Sequence, residues 1–172
     1  EENKDKDKGD GDGYGDSDSE DEGVDSVEIG DVVLGEACLF LDRLRTRNKN
    51  AFDWGLWGGS SVKSSNLAKD LGLVKGIVGS QIGYMITGFQ SELIGNANII
   101  ALDMECAPIA QILNQTGVNF IALKVISNGI YPGNPGKMES EYHDNREMVS
   151  KKATEILIKV IDYLNNKKLN EL

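Results

Sequence analysis

The chain has little histidine, cysteine or proline: one, two and three residues in 172. Cys38 and Cys106 give no framework spacing, which excludes a disulfide scaffold and makes both read as reduced thiols in a core. No apolar run approaches the ~20 residues of a membrane-spanning helix, and no secretory leader is visible. The expectation is a cytoplasmic protein with no membrane contact. Positive charge is also scarce, with 18 Lys and Arg against 28 Asp and Glu. That imbalance is local. Residues 1–26 hold twelve acids and three lysines, so this segment carries nearly all of the net −10 and the remainder is almost neutral. A phosphate-tracking surface needs a basic face, so no nucleic-acid partner is expected.

Residues 1–26 have too little apolar surface to offset the entropy of ordering and read as a disordered, like-charged segment. The stretch DGDGYGDSDSEDE superficially resembles a calcium loop. It lacks a closing glutamate at the right offset and flanking helices, so no metal site is assigned. Residues 27–172, with hydrophobic content of 40% over the whole chain, form the folded part.

Residues 27–42 alternate and then run apolar, which predicts strand, turn at Gly30-Asp31, and strand. Arg43, Arg45 and Arg47 follow in a basic loop, as phosphate ligands or as a solvated face. Trp54 and Trp57 lie in a glycine-rich loop. With Tyr84, they fit either a stacking surface or core packing. A short helix is predicted over 62–71 and a strand over 73–86. NIIALD (98–103) is a short β-branched run. A helix over 104–117 must begin near Cys106 or Ala107, because Pro108 fits only its first turn, and Gly117 is its natural C-cap. NFIALKVIS (119–127) is a second apolar strand, so 98–127 reads as a βαβ unit in a parallel sheet. Residues 128–138, with three Gly and two Pro, read as loop. A final helix is predicted over 140–165 with Val149, Ala153, Ile156, Leu157, Val160, Ile161 and Leu164 on one stripe. His143, beside Asp144, then falls at or before its first turn, open to a catalytic or a helix-start role.

Ligands of a parallel α/β sheet lie beyond the carboxyl ends of its strands. Two such ends are defined: Asp103-Met104-Glu105 and Ser127-Asn128-Gly129. On position alone, Glu105 is also a helix-start acid favoured by the helix dipole.

The segment LDMECAPIAQILNQTGVNFIALKVISNG resembles a stretch of the nucleoside phosphorylase/nucleosidase superfamily. There a Met-Glu block precedes a helix, and an apolar strand ends in Ile-Ser-Asp. VEIGDVVLGEA resembles that family's Gly-Asp block, and IVGSQIGYM falls where the family has its base-contacting strand. The blocks match in order and approximate spacing over most of 27–165. Among the branches, the methylthioadenosine/adenosylhomocysteine nucleosidases are most similar in length and block order.

The resemblance implies an α/β fold, part of a three-layer sandwich with a largely parallel central sheet. It implies cleavage of the N-glycosidic bond of nucleosides, by water or phosphate, with phosphate as co-substrate in the second case and no other cofactor. Glu105 would accept hydrogen bonds from the ribose hydroxyls, since a carboxylate can engage a cis-diol at both oxygens. Met104 would pack on the sugar, and Ser127 would orient Asn128. Asn128 stands where nucleosidases carry an aspartic acid that protonates purine N7. An amide donates a hydrogen bond but delivers no proton, which points to a 6-oxopurine or a pyrimidine rather than adenine. The matched blocks correspond to the second half of the family's fold. The expectation is therefore that a first half supplied elsewhere completes the enzyme, with either a homo-oligomer or a complementary N-terminal chain as the partner. The alternative is a non-catalytic storage or nucleoside-binding relative.

Overall fold

The computed structural model describes residues 27–42, 56–58, 64–83, 94–95 and 97–166. The expectations for the acidic segment, for Arg43, Arg45 and Arg47, and for Trp54 and Tyr84 lie outside the described residues. In chain order the elements are β1 (Val32–Phe40), β2 (Leu56–Gly58), α1 (Ser64–Leu71), β3 (Val74–Ser80), β4 (Ile99–Asp103), α2 (Cys106–Thr116), β5 (Ala122–Val125) and α3 (Pro135–Asn165).

The strands form one curled, mixed sheet in the order β2–β1–β3–β4, with β5 also paired to β1. β1 runs parallel to β3, and β3 to β4. The edge of β1 away from β3 is shared: β5 runs antiparallel along Val32–Gly35, and β2 along Ala37–Leu39. The sheet is thus α/β and mostly parallel, as expected, but the βαβ reading of 98–127 needs correction. β5 pairs antiparallel with β1 instead of parallel beside β4. An apolar run says that a strand is buried; it does not say which neighbour the strand takes.

Three layers follow from the parity of β1. Val33 and Cys38 face α2, in a cluster with Val78, Ala101, Cys106, Ala107 and Ala110. Val32 and Leu34 face α1 and α3, packing with Leu67, Ala68, Ile156 and Val160. Strict alternation would put residues 33 and 38 on opposite faces. The register shift between Gly35 and Ala37 inserts Glu36 as a bulge and returns Cys38 to the α2 side. Leu39 then joins Leu41, Ala97 and Ile99 in a third cluster.

The helix boundaries were partly legible. α2 places Pro108 in its first turn and ends at Gly117 in the left-handed region (φ 67°), whose N–H contacts the Asn114 carbonyl. α3 starts earlier than expected, at Pro135. Asn134 precedes it as cap, its Oδ1 accepting from Lys137 N at 3.1 Å. A loop rich in Gly and Pro hides a helix start because proline suits the first turn. His143 consequently lies two turns into α3, exposed, 3.8 Å from Glu139 and edge-on to Tyr142. Of the expected α3 stripe only Ile156 and Val160 are buried, whereas Leu157 and Ile161 are exposed. No helix among the described residues is long and apolar enough to cross a membrane.

Candidate functional site

The curl of the sheet brings β4 and β5 to opposite walls of one cavity of about 510 Å³. Ile99–Met104 form one wall and Lys124–Ile130 the other, with Tyr142 and Met138 contributed by α3. The lining is mostly apolar with a few polar groups, the usual make-up of a small-molecule site. Met104, Ser127 and Asn128 all line it. Glu105 lies just outside the lining, as the exposed residue that opens α2.

Asp103, at the end of β4, organises the site. Both its carboxylate oxygens accept from the Cys106 N–H, at 3.2 and 3.0 Å, and one accepts from the Ser80 hydroxyl. Ser80, itself buried, accepts from Ala107 N at 2.8 Å. Two of the N–H groups that a helix start leaves without helical partners are thus satisfied by Asp103 and Ser80. Glu105 makes no side-chain cap. Among the described residues its carboxylate carries only a 3.3 Å contact from Met104 N. A second acid caps the helix, so this one faces solvent with most of its acceptor capacity unused.

Sequence reasoning passed over Lys124, the sole cation among the lining residues, whose ammonium pairs with Asp103. Burial works to lower its pKa. The Asp103 hydrogen bond and charge, with smaller contributions from Cys106 and Glu105, outweigh burial and hold it above the usual value. The available signal was one charged residue inside a near-continuous apolar strand, a position that requires a partner. Beneath this group the Cys38 and Cys106 sulfurs lie 2.9 Å apart as free thiols. The hydrogen bond shared with Cys106, then burial, keeps Cys38 protonated.

On the facing wall, Ser127 Oγ donates to Asn128 Oδ1 at 2.6 Å, and Asn128 Nδ2 donates to Gly129 O at 3.1 Å. Gln81, also missed, is 6% exposed and lines the cavity. Its Oε1 is a buried side-chain oxygen with no protein partner among the described residues. A buried acceptor left open carries a desolvation cost that a ligand donor would relieve. No cluster of three or more metal-ligating side chains occurs among the described residues.

Chemically, the cavity offers an apolar slot, an amide donor beside a hydroxyl on the β5 wall and an ammonium–carboxylate pair that joins the two walls, with an exposed carboxylate at a helix start just outside it. The family model described as the phosphorylase superfamily matches residues 23–162. Among solved structures, the 5'-methylthioadenosine nucleosidase of Arabidopsis thaliana is similar at 25% identity and a TM-score of 0.71, covering 85% of this chain and 59% of that one. An MTA/SAH nucleosidase is similar at 26% identity and a TM-score of 0.71, with the same coverages. The futalosine hydrolase of Helicobacter pylori shares the fold at 17% identity and a TM-score of 0.63, over 80% of this chain and 62% of that one. The chain therefore spans about three fifths of the length of these structures. A search of curated proteins finds no match.

Proposed function

Because the chain belongs to the phosphorylase superfamily, we propose that the cavity between β4 and β5 is a nucleoside site. The proposed activity is cleavage of the N-glycosidic bond, completed by residues beyond those described. The observation that carries the reading is the arrangement at the start of α2. Asp103 and Ser80 take two of the helix N–H groups, and Glu105 stands beside the cavity with its carboxylate carrying, among the described residues, only the 3.3 Å contact from Met104 N. That carboxylate would accept the two ribose hydroxyls, Met104 would pack on the sugar, and Asn128, oriented by Ser127, would donate to the base. Breaking the bond places negative charge on the departing base. An amide donor suits a base that carries this charge on a carbonyl oxygen, so 6-oxopurine nucleosides are the proposed substrates. A homo-oligomer or a complementary N-terminal chain would complete the unit, and the nucleophile is water or phosphate.

Glu105→Gln tests the sugar contact. Losing a hydrogen bond to a charged acceptor should weaken inosine binding by about 1.5–3 kcal/mol, read by calorimetry. Equal affinity of the wild type for inosine and 2′,3′-dideoxyinosine would contradict it. Asn128 also favours a second reading, a protein that binds nucleosides without cleaving them, because an amide cannot deliver a proton. Saturable inosine binding with no release of base, in the presence or absence of phosphate, would select it.

A further inference from the structure

Asn128 is followed directly by Gly129, whose permissive backbone leaves the local conformation weakly determined by intrinsic preference. An amide must nevertheless be held within a fraction of an ångström to meet a base. The hold comes from one turn of α3. Glu141 accepts from Gly129 N at 2.9 Å through one oxygen and from the Tyr131 hydroxyl at 2.8 Å through the other. Asn145, one turn further along the same helix face, donates from Nδ2 to Ser127 O at 3.1 Å and to Glu141 O at 2.8 Å.

Ser127 O belongs to the peptide unit before Asn128, and Gly129 N to the peptide unit after it. The two α3 side chains therefore grip both planes adjoining the Asn128 Cα, which leaves φ and ψ of that residue little freedom. Tyr131 closes the grip. Its ring lies so near Gly129 that a Cβ there would meet Cζ and the hydroxyl oxygen at 2.8 Å, and Lys137 Nζ sits 3.6 Å from its ring centroid.

We propose that Glu141 and Asn145 are positioning residues that set the Asn128 amide for the base. This rests on the nucleoside-site reading above. A merely structural role, docking α3 on the sheet, would make the affinity lost in Glu141 and Asn145 variants the same whether or not residue 128 has a side chain.

The test is a double-mutant cycle on the whole protein, read as inosine affinity, together with amide hydrogen exchange at Gly129. Glu141→Gln keeps the shape and removes the charge. Tyr131→Phe removes one donor and serves if Glu141→Gln does not fold. Glu141→Gln should weaken inosine binding about tenfold, because the charged acceptor of two hydrogen bonds is lost, and Asn145→Ala and Tyr131→Phe about threefold each, because each removes a donor and leaves the Gly129–Glu141 bond in place. In an Asn128→Ala background the same changes should cost less than about twofold. Gly129 exchange should accelerate in Glu141→Gln with or without nucleoside. Equal losses in both backgrounds, or unchanged Gly129 exchange, would overturn the positioning role. Unchanged inosine affinity in Asn128→Ala alone would instead overturn the base-contact reading. The Gly129 exchange would then decide by itself whether the grip on the backbone exists.

Discussion

Removing the Asp103 carboxylate should destabilise the protein more than any other single change at the site. Asp103→Ala takes three kinds of partner away at once: the Lys124 ammonium, the Ser80 hydroxyl and the Cys106 N–H. The Asp103 side chain is 8% exposed and that of Lys124 29%. Stranding one member of a buried ion pair costs about 3–5 kcal/mol, and the residual solvent contact of Lys124 places this pair at the lower end. The lost cap on α2 adds about 1 kcal/mol, not independently of the first. The expected total is about 3–4 kcal/mol against a typical stability of ~5–15 kcal/mol. At roughly 2–4 °C per kcal/mol for a chain of this size, the melting temperature should fall by about 10 °C. Circular dichroism in urea and on heating reads both quantities. Asp103→Ala with Lys124→Met should recover part of the loss, because the stranded charge is then gone. A loss below about 1 kcal/mol for Asp103→Ala, or a double variant no more stable than the single one, would refute the reasoning.

Gln81→Leu replaces a buried amide whose oxygen has no protein partner among the described residues, so the unliganded protein should be unchanged or up to ~1 kcal/mol more stable while inosine affinity falls; a destabilised variant with full affinity would contradict this. Hydrogen bonds from Gly129 N–H and the Tyr131 hydroxyl hold the Glu141 carboxyl below the usual glutamate range. Its contribution is therefore complete above the unfolded value near ~4.3 and is lost as pH falls through the folded value. Gly129 exchange, corrected for its intrinsic pH dependence, should lose protection in acid in the wild type and show no such step in Glu141→Gln; identical profiles would contradict it.

Residues that act within their own segment were the readable ones. Pro108 and Gly117 bound α2 through local backbone rules, and the apolar runs at 98–103 and 119–127 did become strands. Pairing was not readable, because the neighbour of β5 depends on which edge of β1 is left open by β3, and this contact is far along the chain. The start of α3 was missed because Pro132 and Pro135 look alike in sequence, although only Pro135 opens the helix after the Asn134 cap. Met104, Ser127 and Asn128 were singled out from strand ends and the family resemblance, and they line one cavity. Lys124, Glu141 and Asn145 were not singled out, since each acquires meaning only from a partner far along the chain or from a main-chain group, and Gln81 was not because its role rests on burial beside the cavity.

The central claim is that Asn128 meets the base of a nucleoside and that an amide there selects 6-oxopurines. It is tested most directly by kcat/KM for inosine and for methylthioadenosine, in the complete protein and in its Asn128→Asp variant. The amide should favour inosine. The acid should shift the ratio toward methylthioadenosine by about tenfold or more, within the ~10²–10⁴-fold that a positioned proton donor contributes. A wild type that prefers methylthioadenosine, with the ratio unchanged or lowered by Asn128→Asp, would contradict the account.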